Sequence, residues 1–124
     1  MPSERFSKDR RVRRRAEFQR VFDRSVRTKG RYLTILVAPN GAGAARLGIV
    51  ASRKLGNAVR RNRAKRLIRE VFRRSDFPGR RGMDVVVIPR RELFEAAFHD
   101  FEADFLTTLK RSAVKLPASS NAGR

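Results

Sequence analysis

The chain has 124 residues, which suffices for one domain with its own core but not for two. Its 31 basic and 12 acidic side chains leave a net charge of +19. An excess this large exceeds what solubility requires and indicates a polyanionic partner, either a nucleic acid or an anionic membrane. The 25 arginines and 6 lysines favour structured nucleic acid, because guanidinium groups bind phosphate through two parallel hydrogen bonds.

Other classes of protein fit this composition poorly. The chain lacks cysteine and has one histidine, His99, so it has neither disulfides nor the ligands for a His/Cys zinc cluster. No apolar run approaches the ~20 residues of a membrane span, and the N-terminus does not resemble a signal peptide. We therefore expect a cytoplasmic protein of one domain, residues 1–124, without a membrane partner.

The N-terminal part of the chain combines a polar segment with a short amphipathic helix. Residues 1–13 are basic and poor in apolar side chains, which predicts a flexible arm when no partner is bound. From Arg14 to Ser25, Phe18 and Phe22 recur four residues apart and predict a helix. These two rings either pack into the core or line a cleft for a ligand. A loop is expected at residues 28–30.

Three segments have the composition of strands. Residues 31–38 are rich in β-branched and aromatic side chains and end at a Pro-Asn-Gly turn, and residues 46–53 follow a loop rich in glycine and alanine. The short connection predicts that these two segments form an antiparallel hairpin. Residues 84–89 form a continuous apolar run, which is typical of a strand buried on both faces.

A strongly basic helix is predicted from Ala58 to Arg74, with Asn57 as its N-cap. One stripe of this helix is apolar and must face a core; it comprises Ala64, Leu67, Ile68, Val71 and Phe72. The opposite face offers cations for a phosphate backbone, namely Arg61, Arg63, Lys65, Arg66, Arg69 and Arg73. A merely solvated face would mix charge signs, whereas only Glu70 interrupts this one.

The C-terminal part is predicted to be a helix over residues 91–111, followed by a disordered tail at 116–124. Apolar side chains with helical spacing are expected to pack into the core; they are Phe94, Ala97, Phe98, Phe101, Phe105 and Leu109. We expect His99 to lie on the surface and the protein to hold no metal ion of its own.

Residues 52–69, SRKLGNAVRRNRAKRLIR, resemble the signature of the bacterial ribonuclease P protein family. The resemblance centres on Arg61-Asn62-Arg63, continues through Lys65, Arg66 and Arg69, and extends to Arg46-Leu47-Gly48 and to Glu70. It covers about residues 5–112, in the order of the family. A lone Arg-Asn-Arg tripeptide would be uninformative, whereas a match of this length is specific.

The resemblance implies a noncatalytic protein subunit of ribonuclease P, an endoribonuclease whose RNA removes the 5′ leader from precursor tRNA. Its partners would be the ribonuclease P RNA and the leader of precursor tRNA, with no obligate protein partner. Mg²⁺ would be held by the RNA. The resemblance assigns contacts with the catalytic RNA to Arg61, Asn62, Arg63, Lys65, Arg66 and Arg69, and contacts with the leader to Phe18, Phe22, Arg53 and Lys54.

The predicted fold class is α+β, a small and mainly antiparallel sheet with three helices in an αβββαβα-like order. The general rule predicts a right-handed crossover through the basic helix, whereas the resemblance implies a left-handed one, which we adopt. Two other function classes stay open on charge alone. A structural or ribosomal RNA-binding protein would lack the leader cleft, and a helix-turn-helix DNA binder would need two successive helices.

Overall fold

The computed structural model describes residues 15–40, 45–75 and 82–115. The helices are α1 (Arg15–Arg24), α2 (Ala58–Arg74) and α3 (Phe98–Lys115), and the strands are β1 (Val26–Lys29), β2 (Leu33–Pro39), β3 (Arg46–Ile49) and β4 (Met83–Pro89). Two short 3₁₀ helices, Arg53–Leu55 and Arg91–Glu95, precede α2 and α3. This order confirms the predicted αβββαβα arrangement. The predicted arm at 1–13 and tail at 116–124 lie outside the described residues.

The four strands form one sheet in the order β1-β2-β4-β3. β1 pairs with β2, and β2 with β4, in antiparallel orientation, whereas β3 pairs with β4 in parallel. The sheet is therefore mainly antiparallel, as predicted, and its one parallel pair needs a crossover, which α2 provides. The left-handed sense of that crossover stays a prediction.

Two predictions about the strands are wrong. The predicted hairpin between residues 31–38 and 46–53 does not form, because β4 lies between β2 and β3. The hairpin consists instead of β1 and β2, and β1 includes residues that we expected to form a loop. β1 is only four residues long and mostly polar, so its composition gives little strand signal.

The turn between β1 and β2 is fixed to α3. The Asp104 carboxylate accepts hydrogen bonds from the backbone N–H groups of Arg31 and Tyr32, at 3.0 and 2.9 Å. A Cβ atom at Gly30 would collide with the Thr108 hydroxyl, so only glycine allows the turn to approach the helix this closely. The hairpin is thereby held against the rest of the domain.

The sheet is covered on both faces, but unequally. The face that carries Leu33, Ile35 and Val37 of β2 packs against α2 and α3 and forms the main core. The opposite face carries Leu36 and Ala38, and a smaller cluster forms there with Val21 of α1 and Val86 of β4. At the margin of this smaller cluster, Phe18, Val50 and Ile88 are only partly buried.

The helices α2 and α3 differ in how well the sequence pattern predicts them. In α2 the apolar stripe lies against the core as predicted. In α3, Phe101 and Phe105 are buried, but the predicted continuous helix from residue 91 is interrupted at Ala96, which has extended backbone angles of φ −88° and ψ 144°. Phe98 begins the new helix and is exposed, so its predicted burial is wrong, as is that of Ala97.

Arg46, at the start of β3, has a structural role. The Asp84 carboxylate is 1% exposed and accepts two hydrogen bonds from the Arg46 guanidinium, both at 2.8 Å. The Asn40 side-chain amide donates a third bond at 2.6 Å. Arg46 therefore links β3 to β4, and its charge is compensated by Asp84 within the protein. Removing one partner of such a buried pair would leave the other charge uncompensated.

Candidate nucleic-acid interface

The connection between β3 and α2 is fixed by two caps. The Ser52 hydroxyl accepts a hydrogen bond from the Lys54 N–H at 3.3 Å, and the Asn57 side chain accepts one from the Arg60 N–H at 3.0 Å. The second bond confirms Asn57 as the N-cap of α2. Between the two caps, Gly56 has a φ of +127°, a conformation that side chains rarely adopt. The basic helix therefore starts at a defined point and angle.

The side chains assigned to the catalytic RNA cover an arc of about 200° of α2, at about 100° per residue. Asn62, Arg63 and Arg66 are exposed, and the other three are half-buried; these are Arg61, Lys65 and Arg69. Within the described ranges, Arg63, Lys65 and Arg66 make no hydrogen bond or ion pair. We call this arc the basic face. Its unpaired cations are available to phosphate groups.

The C-terminal end of α2 is different, because its arginines are paired. The Arg73 guanidinium donates to both Glu70 carboxylate oxygens at 2.8 Å, and Arg74 lies 3.7 Å from the same carboxylate. The hydrogen bond from Arg73 holds the pKa of Glu70 below its ordinary value, and the charges of Arg73 and Arg74 act in the same direction. Arg73, which we predicted to grip phosphate, is thus already partnered.

The residues assigned to the leader lie on the other side of the sheet. Phe18 is half-buried and packs on the smaller apolar cluster together with Val50 and Ile88. Phe22, one turn later on α1, is 43% exposed. The two rings are therefore placed differently, since Phe18 packs on the cluster whereas part of the Phe22 ring is exposed.

An open groove of about 770 Å³ continues from this apolar cluster. It lies between the segments that follow β3 and β4, and its lining comprises Val50, Ser52, Lys54, Leu55, Ile88, Pro89, Arg90, Arg91, Glu92 and Glu95. Val50 and Ile88 belong to both the cluster and the groove. An extended chain could therefore run from the rings of α1 into a groove with cationic side chains.

The structure brings only one of the two predicted leader residues, Arg53 and Lys54, into the groove. Both lie in the 3₁₀ helix Arg53–Leu55, because β3 ends at Ile49 and the strand predicted at residues 46–53 is shorter than expected. Lys54 lines the groove and Arg53 does not. The groove also contains a pair of arginines, Arg90 and Arg91, that the sequence reasoning missed; the signal was a basic pair directly after a buried strand.

Arg90 is held in a fixed position at the edge of the groove. Its guanidinium donates to the Thr34 hydroxyl at 2.8 Å, to the Leu33 carbonyl at 3.3 Å and to the Gly30 carbonyl. These acceptors are neutral, so the positive charge of Arg90 is not cancelled by them. The side chain both ties the hairpin turn to β4 and contributes positive potential to the groove.

Comparison with known proteins decides between the open classes. A model of the family described as ribonuclease P matches residues 6–113 of the chain. The chain belongs to the ribonuclease P protein family. It is 38% identical over 114 residues to the ribonuclease P protein component of a Thermotoga species, strain RQ2, covering 92% of this chain and 94% of the relative.

Solved structures of the family agree with this fold. The protein from Thermotoga maritima is similar with a TM-score of 0.73 and 39% identity, covering 82% of this chain and 96% of that one. A Staphylococcus aureus RNase P protein mutant, described as defective in mRNA degradation activity, is similar with a TM-score of 0.78 and 31% identity, over 86% and 90% of the two chains. The chain is accordingly an RNA-binding subunit of the endoribonuclease ribonuclease P, and its partner is the ribonuclease P RNA. Among the helices described, none is long and apolar enough to cross a membrane.

Proposed function

We propose that the protein assists the catalytic RNA of ribonuclease P in removing the 5′ leader from precursor tRNA, by binding the RNA subunit on α2 and the leader in the groove. The observation that carries this proposal is the segment from Ser52 to Asn57. Its Lys54 lines the groove, and its end caps the helix of the basic face. Two surfaces for RNA are thus joined by one short, doubly capped connection.

Binding of the catalytic RNA is assigned to the basic face. Arg63 and Arg66 are exposed and unpaired among the described residues, and a rigid helix holds them in fixed relative positions. A guanidinium group binds phosphate through two parallel hydrogen bonds, so each of these side chains suits one backbone phosphate. Asn62 directly precedes Arg63, is also exposed, and is assigned to the same contact.

Binding of the leader is assigned to the groove and the neighbouring rings of α1. A single strand is bound by cations along its backbone and by aromatic rings that stack on its bases, without sequence readout. Phe22 offers an exposed ring, and Lys54, Arg90 and Arg91 offer the cations. Arg53 is exposed nearby and extends the positive surface beyond the groove.

The chemistry is assigned to the RNA subunit and its Mg²⁺ ions, so the protein contributes binding and orientation. In the described part of the chain, no three His, Asp or Glu side chains come together as metal ligands. The alternative, a structural or ribosomal RNA-binding protein, would explain the basic face but would not explain the groove.

The proposal is tested by reconstitution. Precursor tRNA and a bacterial ribonuclease P RNA are incubated at low Mg²⁺ with and without the protein, and 5′ processing is measured. We expect the protein to accelerate processing because its cations offset repulsion between the two RNAs. Photo-crosslinks from the leader should reach Phe22 and Lys54. No acceleration, or leader crosslinks confined to α3, would refute the assignment.

A further inference from the structure

Two large apolar side chains are exposed beside the basic face. Val59, in the first turn of α2, is 73% exposed, and Phe98, at the start of α3, is 39% exposed. Arg63 lies between them, since it follows Val59 by one helical turn and lines a shallow cavity together with Phe98. We define the aromatic patch as Val59, Arg63, Phe94 and Phe98.

The aromatic patch has a defined shape. Its cavity is only about 60 Å³, and its lining comprises Arg63, Leu67, Leu93, Phe94, Ala96, Phe98 and Phe101. A cavity of this size is too small to enclose a nucleic-acid base, so a planar ligand must lie against the surface of the rings. The Arg60 guanidinium already stacks over Phe94 at 5.1 Å from the ring centre. The patch therefore offers a flat contact bordered by positive charge.

The exposure of Phe98 follows from the fold. Phe101 and Phe105 point into the core, whereas Phe98 begins α3 after the extended residue Ala96 and lies outside it. The nearby carboxylate of Glu95 lines the groove instead of this cavity. Arg63 lines the cavity and Arg60 lies over Phe94, whereas Glu102 follows Phe98 by one turn of α3, so the positive charge of the patch lies on its α2 side.

We propose that the aromatic patch binds an unpaired base of the ribonuclease P RNA, which stacks on the Phe98 ring while Arg63 binds the adjoining phosphate. This inference rests on the proposed function, because it extends the RNA contact of α2 onto the start of α3. Every base has a face that can stack on an aromatic ring, so the contact needs an unpaired nucleotide but no particular sequence.

The test measures the affinity of the full-length protein for ribonuclease P RNA with Phe98 replaced. Base stacking energies predict that Phe98→Ala weakens binding by about 5- to 150-fold. The slope of affinity against salt should stay unchanged, because no phosphate contact is lost. Phe98→Trp should bind at least as tightly as the wild type. Phe98→Leu keeps an apolar side chain without an aromatic face and should bind almost as weakly as Phe98→Ala.

The matched control is Val114→Ala, which trims an exposed apolar residue at the far end of the same helix and should leave affinity unchanged. If Phe98→Leu binds like the wild type, stacking is wrong. If Phe98→Ala binds like the wild type while Arg66→Ala binds weakly, the patch proposal is wrong and the proposed function stands. If the wild type itself does not bind the RNA, the proposed function fails.

Discussion

The basic face of α2 and the groove beyond β3 are both cationic, yet they hold their charges differently. Arg63 and Arg66 project from a helix and have no acceptor among the described residues. In the groove, Arg90 is tied to two backbone carbonyls and a hydroxyl. The groove also has carboxylates, Glu92 and Glu95, whereas the basic face has none between Arg61 and Arg69.

The difference suits the two modes of RNA binding that we propose. Unpaired cations on a rod bind a phosphate backbone mainly by releasing counterions, so this binding depends strongly on salt and little on shape. A groove with fixed cations, acids and apolar side chains admits a strand in only some positions, so its binding depends on fit. One net charge of +19 therefore supports two distinct tasks.

The largest expected effect is on the basic face. Replacing Arg63 and Arg66 with alanine should reduce the salt slope for ribonuclease P RNA by about 2, because each removes about one phosphate contact. The wild-type affinity should fall by ~10³ or more between 50 and 200 mM salt if ~6 to 10 phosphates are neutralised, as for duplex DNA. Filter binding at several salt concentrations measures both quantities.

The matched control removes the same charge elsewhere. Lys110 and Arg111 are exposed cations on α3. Their double alanine variant should keep the salt slope nearly unchanged, and both double variants should melt near the wild-type temperature, since exposed substitutions change stability by about 0.5 kcal/mol or less. Equal losses of affinity in the two variants would show that net charge alone drives binding.

A smaller and more selective effect is expected at α1. Phe22→Ala should weaken binding of precursor tRNA to the reconstituted enzyme by about 5- to 150-fold, from the loss of one stacked base. Binding of mature tRNA, which has no leader, should be unchanged. Competition between precursor tRNA and mature tRNA measures the ratio of their two affinities directly.

Phe22 is the informative position because it is 43% exposed, whereas Phe18→Ala would also remove packing from the smaller cluster. An equal loss for both tRNAs would mean that Phe22 acts on the enzyme as a whole and does not contact the leader. Unchanged affinities for both tRNAs would remove Phe22 from the leader path.

The basic face could be predicted from the sequence because its signals are local. The apolar stripe, the Asn57 cap and the row of cations all lie within one helix, and helical periodicity fixes their relative positions. The pairing of Arg73 and Arg74 with Glu70 could also have been predicted, because residues three and four apart are neighbours on a helix surface.

The groove could not be predicted in the same way, because it joins residues that are distant in the chain. Lys54 and Arg91 meet only because β3 and β4 are neighbours, and the sequence suggested a different pairing. The exposure of Phe98 depends on a break at Ala96, where neither glycine nor proline marks the end of a helix. Such features follow from tertiary packing and not from local propensity.

The smallest expected effect is at the C-terminal end of α2, where Glu70 pairs with Arg73 and Arg74. Glu70→Gln should raise the affinity for ribonuclease P RNA by less than about fivefold, since exposed ion pairs contribute at most about 1 kcal/mol. The reason is that the substitution removes the negative charge beside Arg73 and Arg74, which raises the positive potential at this end of α2. A weaker affinity would instead mean that Glu70 orients the arginines for RNA.

The same carboxylate gives a pH test of the pairing. The pKa of Glu70 is lowered in the folded protein, so its small contribution to stability is present above the ordinary glutamate pKa and is lost as the pH falls through the lowered value. An NMR titration of the free protein should give Glu70 a pKa below that of an unpaired glutamate. Binding of RNA near this end of α2 should raise this pKa, because phosphate adds negative charge beside the carboxylate and competes for Arg73. An unchanged pKa would mean that RNA does not approach Glu70.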